Sequence, residues 1–226
     1  MKGIKKFLNE IFIDGLSGMA LGLFATLIIG TIICQLGSLI GGDVGAYLTA
    51  MGNVAKSLTG AGIGVGVASK LKSGPLVTVA AAVTGMIGAF PTVMTMEGFA
   101  IGKPGEPLGA FVAAIVGIKL GQLVSGKTKV DIIITPLVSI FTGAMVGFFV
   151  GPPITTFMTW LGELVNVNVE QYPVIGGIIV SVLMGMILTL PISSAAIGVS
   201  MGITGLAAGA ATVGCCCNMV GFAVAS

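Results

Sequence analysis

Long apolar runs separated by short polar breaks dominate the chain. Residues 17–40 are apolar with few interruptions, and at ~1.5 Å per residue they are long enough to cross a hydrocarbon core of ~30 Å. Gly41, Gly42 and Asp43 predict a turn. Residues 44–68 are less greasy, with Asn53, Lys56 and the ladder Gly60, Gly62, Gly64, Gly66, which predicts an irregular second span, either one helix or two shorter pieces. Lys70, Lys72, Gly74 and Pro75 separate it from a third span at 76–90, which Pro91 ends. The polar stretch 92–107 leads to a fourth span at 108–124 and a fifth at 130–150, joined by Ser125-Gly126-Lys127-Thr128-Lys129. Gly151-Pro152-Pro153 predicts a sharp break. Residues 154–167 then place Phe157, Trp160, Leu161 and Leu164 on one face with Glu163 on the flank, the pattern of an amphipathic helix lying at a membrane interface. The sixth span is 174–190.

After Pro191 the pattern changes. Ser193, Ser194, Ser200, Thr204 and Thr212 interleave with Gly198, Gly202, Gly205, Gly209 and Gly214. Such a stretch is apolar enough for membrane depth and too rich in glycine for one rigid span, so residues 191–212 read as a re-entrant hairpin whose backbone faces protein or a polar cavity. The run 213–226 is too short to cross and reads as the start of a further span, which leaves the chain incomplete at its C-terminus. The expected fold is all-α: one polytopic membrane domain over 1–226 with six to seven spans, an interfacial helix and a re-entrant hairpin, preceded by a cytoplasmic amphipathic segment at 1–16.

Composition sharpens this picture. Only 8% of residues are charged, 55% are hydrophobic and mean hydropathy is +1.13, so a polar skin for water cannot be assembled. The 37 glycines lie inside the apolar runs, with pairs four apart at Gly18/Gly22, Gly60/Gly64, Gly117/Gly121, Gly143/Gly147/Gly151, Gly198/Gly202 and Gly205/Gly209, the spacing that lets membrane helices approach closely. All basic residues are lysine, and a net charge of +2 gives no footprint for nucleic acid. With a cytoplasmic N-terminus, Lys2, Lys5, Lys6, Lys70, Lys72, Lys127 and Lys129 fall inside, whereas the outer loops take Asp43, Glu97, Glu106, Glu163 and Glu170 with Lys103 as their only lysine. Lys119 is near an inner helix end and can snorkel, while Lys56 sits within a span and wants a polar cavity or a less buried segment. Cys215, Cys216 and Cys217 are consecutive, so their side chains fan out on a helix and cannot close a metal shell; they read as small packing residues.

The second half resembles the membrane (IIC) subunit of bacterial phosphotransferase-system sugar permeases, the fructose-type branch in particular. The resemblance lies in Asp131-Ile132-Ile133-Ile134-Thr135-Pro136-Leu137, then Gly143, then Val150-Gly151-Pro152-Pro153-Ile154 and Trp160-Leu161. Upstream, Gly102-Lys103-Pro104-Gly105 with Leu108-Gly109-Ala110-Phe111 is similar to that branch's loop and next span, and the likeness covers residues 76–196. The stretch 207–217 looks like the shorter PfoR-type IIC-like regulators. One departure stands out: where the fructose branch carries an aspartate, an asparagine and a lysine, this chain has Ile187, Ser193 and Ser194. Gly205 likewise stands in place of the glutamate of the glucose-type branch.

The resemblance implies a subunit that binds and translocates a small sugar or polyol for phosphorylation by a separate IIB partner, fed by IIA, in the bacterial plasma membrane and as a homodimer. The chain has no histidine and no thiol in a soluble loop, so it holds no residue to carry the phosphoryl group itself, and no cofactor is expected. Lys103, Glu106, Ser193, Ser194, Thr204 and Asn218 are the candidate polar contacts, in a cavity between the fourth to sixth spans and the hairpin. Two other readings fit the same residues: a non-transporting PfoR-like membrane sensor, and a permease for another small solute.

Overall fold

Helix α1, Glu10–Ile40, starts well before the apolar run at residue 17, because Glu10 finds a partner and Phe12 and Ile13 extend its apolar surface. The computed structural model describes residues 9–90, 105–188, 198 and 201–225, and every regular element among them is helical. Two π-helical turns, Glu10–Gly15 and Phe24–Ile28, interrupt α1. The chain reverses at Gly41 and Gly42, both at positive φ (67° and 60°), a conformation that excludes ordinary side chains. The return limb is two helices, α2 at Gly42–Ser57 and α3 at Thr59–Lys70, parted at Leu58 (φ −86°, ψ 12°). Of the two forms open for the irregular second span, the split one is found.

α4, Pro75–Ala89, and α5, Pro107–Val124, each begin with proline at the first helical turn, where no N–H is missed. Glycines set the spacing of the bundle. A Cβ on Gly18 would stand 2.6 Å from the Gly66 carbonyl, on Gly60 2.6 Å from the Gly85 carbonyl, on Gly88 2.5 Å from the Gly109 carbonyl and on Gly143 2.6 Å from the Thr84 methyl. These backbones touch, and α5 is the most enclosed helix of the group. Thr59, Thr84, Thr135 and Ser139 are fully buried among them; Ser139 donates to the Gly117 carbonyl at 2.9 Å, so its hydroxyl costs little to bury. Gln122, in the last turn of α5, ties that helix to the α3–α4 loop by donating to the Leu71 carbonyl (3.2 Å) and Ser73 Oγ (2.9 Å).

α6 corrects an expectation. It runs unbroken from Asp131 to Gln171 with Pro136, Pro152 and Pro153 inside it, so the expected break at Gly151-Pro152-Pro153 is absent. Proline fixes φ near ~−65°, which is helical, and each of the three prolines costs the helix an N–H donor and crowds the carbonyl four residues back; helices at membrane depth tolerate this. Phe157 and Trp160 nevertheless share a face as expected, their rings stacked at 6.2 Å.

The described residues form two compact units that divide between Ile154 and Thr155, within α6. In the second unit α7, Pro173–Leu188, lies against α8, Gly205–Ala225, over a small core of Val169, Val180, Met184, Ala207 and Ala211. The first arm of the expected hairpin falls outside the described residues except for Gly198. Its second arm does not stop at residue 212, as α8 is continuous through the run 213–225 and long enough to cross a membrane by itself. Among the described residues, α1, α5, α6 and α8 have the length and hydropathy of membrane spans, while α4 and α7 are shorter apolar helices.

Candidate functional site

An open furrow lies between α7 and α8. One stretch of it, ≈ 380 Å³, is lined by Ser181, Val182, Gly185, Met186, Gly214, Cys217 and Asn218. A second stretch of ≈ 390 Å³ continues past Ser181 and Val182 toward Pro173 and Val213, and apart from Ser181 its walls are apolar. Gly214 makes the furrow possible, since a Cβ there would run into the Ser181 carbonyl. Gly185 leaves the space opposite, where a Cβ would stand 3.2 Å from the Gly214 carbonyl.

Asn218 donates its Nδ2 to the Gly185 carbonyl at 2.6 Å, which fixes the side chain across the furrow. The Ser181 hydroxyl has no hydrogen-bond partner among the described residues and is the only polar side chain in α7. A hydroxyl that donates and accepts thus stands near an oriented amide and the Cys217 thiol, with no charged group in the lining. Such a set suits a neutral, hydroxyl-bearing ligand and has nothing to neutralise an anion.

The other candidate residues lie elsewhere. Thr204 precedes α8, roughly 20 Å of helix from Asn218. Its N–H donates to Asn166 Oδ1 (3.2 Å), while Asn166 Nδ2 donates to the Gly202 carbonyl (3.1 Å), so one amide clips the turn before α8. Glu106 caps α5: its carboxylate accepts from Leu108 N at 3.1 Å and from Gly109 N. Lys103, Ser193 and Ser194 lie outside the described residues. Cys215 is half-buried with its thiol 3.9 Å from the Met184 carbonyl, whereas Cys216 and Cys217 are exposed. No cluster of His, Cys, Asp or Glu among the described residues could hold a metal.

Two residues escaped the sequence reading. Ser181 had a signal, as the lone hydroxyl of a sixteen-residue apolar helix. Asn166 had none beyond its asparagine identity, because its partners lie far along the chain. Residues 121–128 also spell glycine-x4-glycine-lysine-threonine, a phosphate-loop pattern. Here Gly121 is buried inside α5 against Ser139, and the Gly126 amide is already taken by Asp131 Oδ1 at 2.9 Å, so no cradle forms.

Neither a curated protein nor a solved structure matches the chain. A family model does, the one described as "Phosphotransferase system, EIIC", and it matches residues 13–226. With nearly the whole length aligned and apolar helices throughout, the chain belongs to the EIIC family, the multi-pass membrane permease subunits that cooperate with the IIA and IIB components of the phosphotransferase system.

Proposed function

We propose that this EIIC subunit binds a small neutral sugar or polyol in the α7–α8 furrow and translocates it for phosphorylation by a separate IIB protein. The observation that carries the reading is the lining itself: Ser181, Asn218 and Cys217 offer uncharged donors and acceptors between apolar walls. Binding of a polyol needs this combination, since hydroxyls seek paired donors and acceptors while the carbon face prefers apolar contact. Asn218 and Ser181 are its first contacts. Ser193, Ser194 and Thr204 are further candidate contacts of the solute, the two serines standing in place of charged groups of the fructose-type branch, and Lys103 and Glu106 are candidate polar contacts elsewhere in the subunit. The likeness of residues 131–161 to that branch supports a fructose-type relationship, and that of 207–217 supports kinship with the shorter PfoR-type proteins. The lysine distribution supports a cytoplasmic N-terminus, and the family resemblance implies a bacterial plasma membrane and a homodimer. The exposed Phe157–Trp160 face supports an interfacial position for that part of α6.

Uptake tests the reading. Cells expressing the subunit should accumulate a labelled hexose or hexitol, and deletion of the shared phosphocarrier should stop it. Uptake of no such solute, with transcription altered on deletion of the subunit, would replace transport by a sensory role.

A further inference from the structure

The first hairpin, α1 with α2 and α3, is built from two parts of different character. Its base, Leu16–Leu23 with Thr59–Lys70, is packed against α4 and α5. Its outer part, residues 29–57, packs on itself and on the segments adjoining it. The outside of that part is apolar and exposed, with Leu39 81% and Tyr47 74% accessible.

The outer part is nonetheless tightly closed within. A Cβ on Gly30 would stand 2.8 Å from the Gly52 carbonyl, on Gly37 2.7 Å from the Gly45 carbonyl and on Gly52 2.9 Å from Cys34 N. The Cys34 thiol adds contacts to the Thr49 carbonyl (3.6 Å) and Asn53 Oδ1 (3.5 Å). Two limbs so joined move together or not at all.

Between base and outer part, both limbs are irregular at one level. In α1 the π-helical turn Phe24–Ile28 intervenes; in the return limb the break at Leu58 does. They face each other. The Thr26 methyl stands 2.6 Å from where a Cβ on Gly62 would lie, and a Cβ on Gly30, four residues on, would stand 2.9 Å from Lys56 Cγ. Thr26 Oγ1 donates to the Gly22 carbonyl at 2.7 Å, a back-bond that favours helix bending. Lys56, in the last turn before Leu58, is half-buried and has no ion-pair partner among the described residues. An ammonium within a span requires water or polar company. π-turns and paired helix breaks are where helices concentrate bending.

We infer that residues 29–57 form a rigid lever that swings on a two-point hinge, Phe24–Ile28 in one limb and Leu58 in the other. The swing is the conformational step of the first unit. The lever stands on packing alone and needs no assumption about the solute, so it is tested without one and its failure is separable from that of the sugar reading.

The experiment uses the full chain in lipid nanodiscs, with the four native cysteines replaced by alanine and spin-label pairs introduced at exposed positions. Val44→Cys with Val79→Cys spans the hinge, Val79→Cys with Phe141→Cys lies within the base, and Leu39→Cys with Val54→Cys lies within the lever. The hinge-spanning distance distribution should be at least twice as broad as the other two, or bimodal. A hinge-spanning distribution as narrow as the base pair would overturn the hinge. A lever pair as broad as the hinge pair would mean the outer part frays and is no lever. Folding of each pair-bearing variant is verified by its retained dispersity and thermal unfolding in the same nanodiscs.

Discussion

Lys119 Nζ stands 2.6 Å from Glu10 Oε2, and this ion pair fastens the start of α1 to α5 across more than a hundred residues. Both side chains are about a quarter to a third exposed, 26% and 31%. Breaking the pair therefore costs more than the ~0–1 kcal/mol of an exposed bridge and less than the ~3–5 kcal/mol of a buried one. Lys119→Met removes the Lys119–Glu10 pair and should lower the midpoint of thermal unfolding by about 4–8 °C, the equivalent of ~2 kcal/mol in a chain of this size. Adding Glu10→Leu should recover at least half of that loss. A double variant no better than the single one would show that the pair is incidental to how α1 docks.

Gly214 and Gly209 occupy the same helix, five residues apart, yet predict opposite outcomes. A methyl on Gly214 meets the Ser181 carbonyl, so Gly214→Ala must push α8 off α7, at a cost of about 1–3 kcal/mol, and should widen the furrow. Gly209 has no heavy atom within 4 Å of such a methyl among the described residues, and Gly209→Ala should be neutral or gain up to about 1 kcal/mol from helix propensity. Unfolding in detergent measures both. Equal destabilisation by the two would remove the close approach at Ser181 as the reason for glycine at 214.

Much of this architecture was readable in the sequence because the bilayer dictates helix length and small residues dictate contact. The limb after Gly41-Gly42 and the helices at 75–89, 107–124 and 173–188 follow from run lengths and punctuation, whereas nothing in the sequence marks Leu58 as the break within the return limb. The glycine pairs at 18/22, 60/64 and 143/147 do lie where backbones meet, as does Gly117, while Gly121 faces the Ser139 and Val77 side chains; a Cβ on Gly202, Gly205 or Gly209 would meet no neighbour among the described residues. Gly202 and Gly205 instead take positive φ (61° and 55°) in the turn before α8, a role that spacing alone does not distinguish from packing. Pro152-Pro153 misled because the rule that proline ends helices is weighted by proteins in water. At membrane depth an exposed backbone finds no water, so the helix persists through the lost donors. Of the candidate site, Asn218 was legible as an amide in an apolar run. The capping role of Glu106 depends on which N–H groups α5 leaves open, and the Asn166 clip depends on contacts between distant residues.

The Asn166 clip yields its own test. Asn166→Ala removes the acceptor of the Thr204 N–H and the donor to the Gly202 carbonyl. At ~0.5–1.5 kcal/mol per bond, the turn before α8 should open about tenfold more often. Hydrogen exchange resolved at the Thr204 amide should accelerate by that factor, with exchange across Ala207 and Ala211, in the core of the second unit, unchanged. Uniform acceleration through α8 would mean that Asn166 supports the whole unit and not the turn.

Ser181 and Asn218 separate binding from stability. The Ser181 hydroxyl makes no hydrogen bond within the described residues, so Ser181→Ala should leave the unfolding midpoint within about 2 °C of the parent, in line with a near-neutral exchange of an unpaired polar group. Asn218→Leu loses the bond to the Gly185 carbonyl and should cost about 1 kcal/mol. Both should weaken sugar or polyol binding about tenfold or more, because each removes a group that only the ligand can satisfy fully. The measurement is the ligand-induced rise in unfolding midpoint across a panel of hexoses and hexitols, with each variant referred to its own ligand-free value. If Ser181→Ala retained the full rise for every sugar that stabilises the parent, the furrow would not be where the hydroxyls bind, and the polar path around residues 191–204 would take its place.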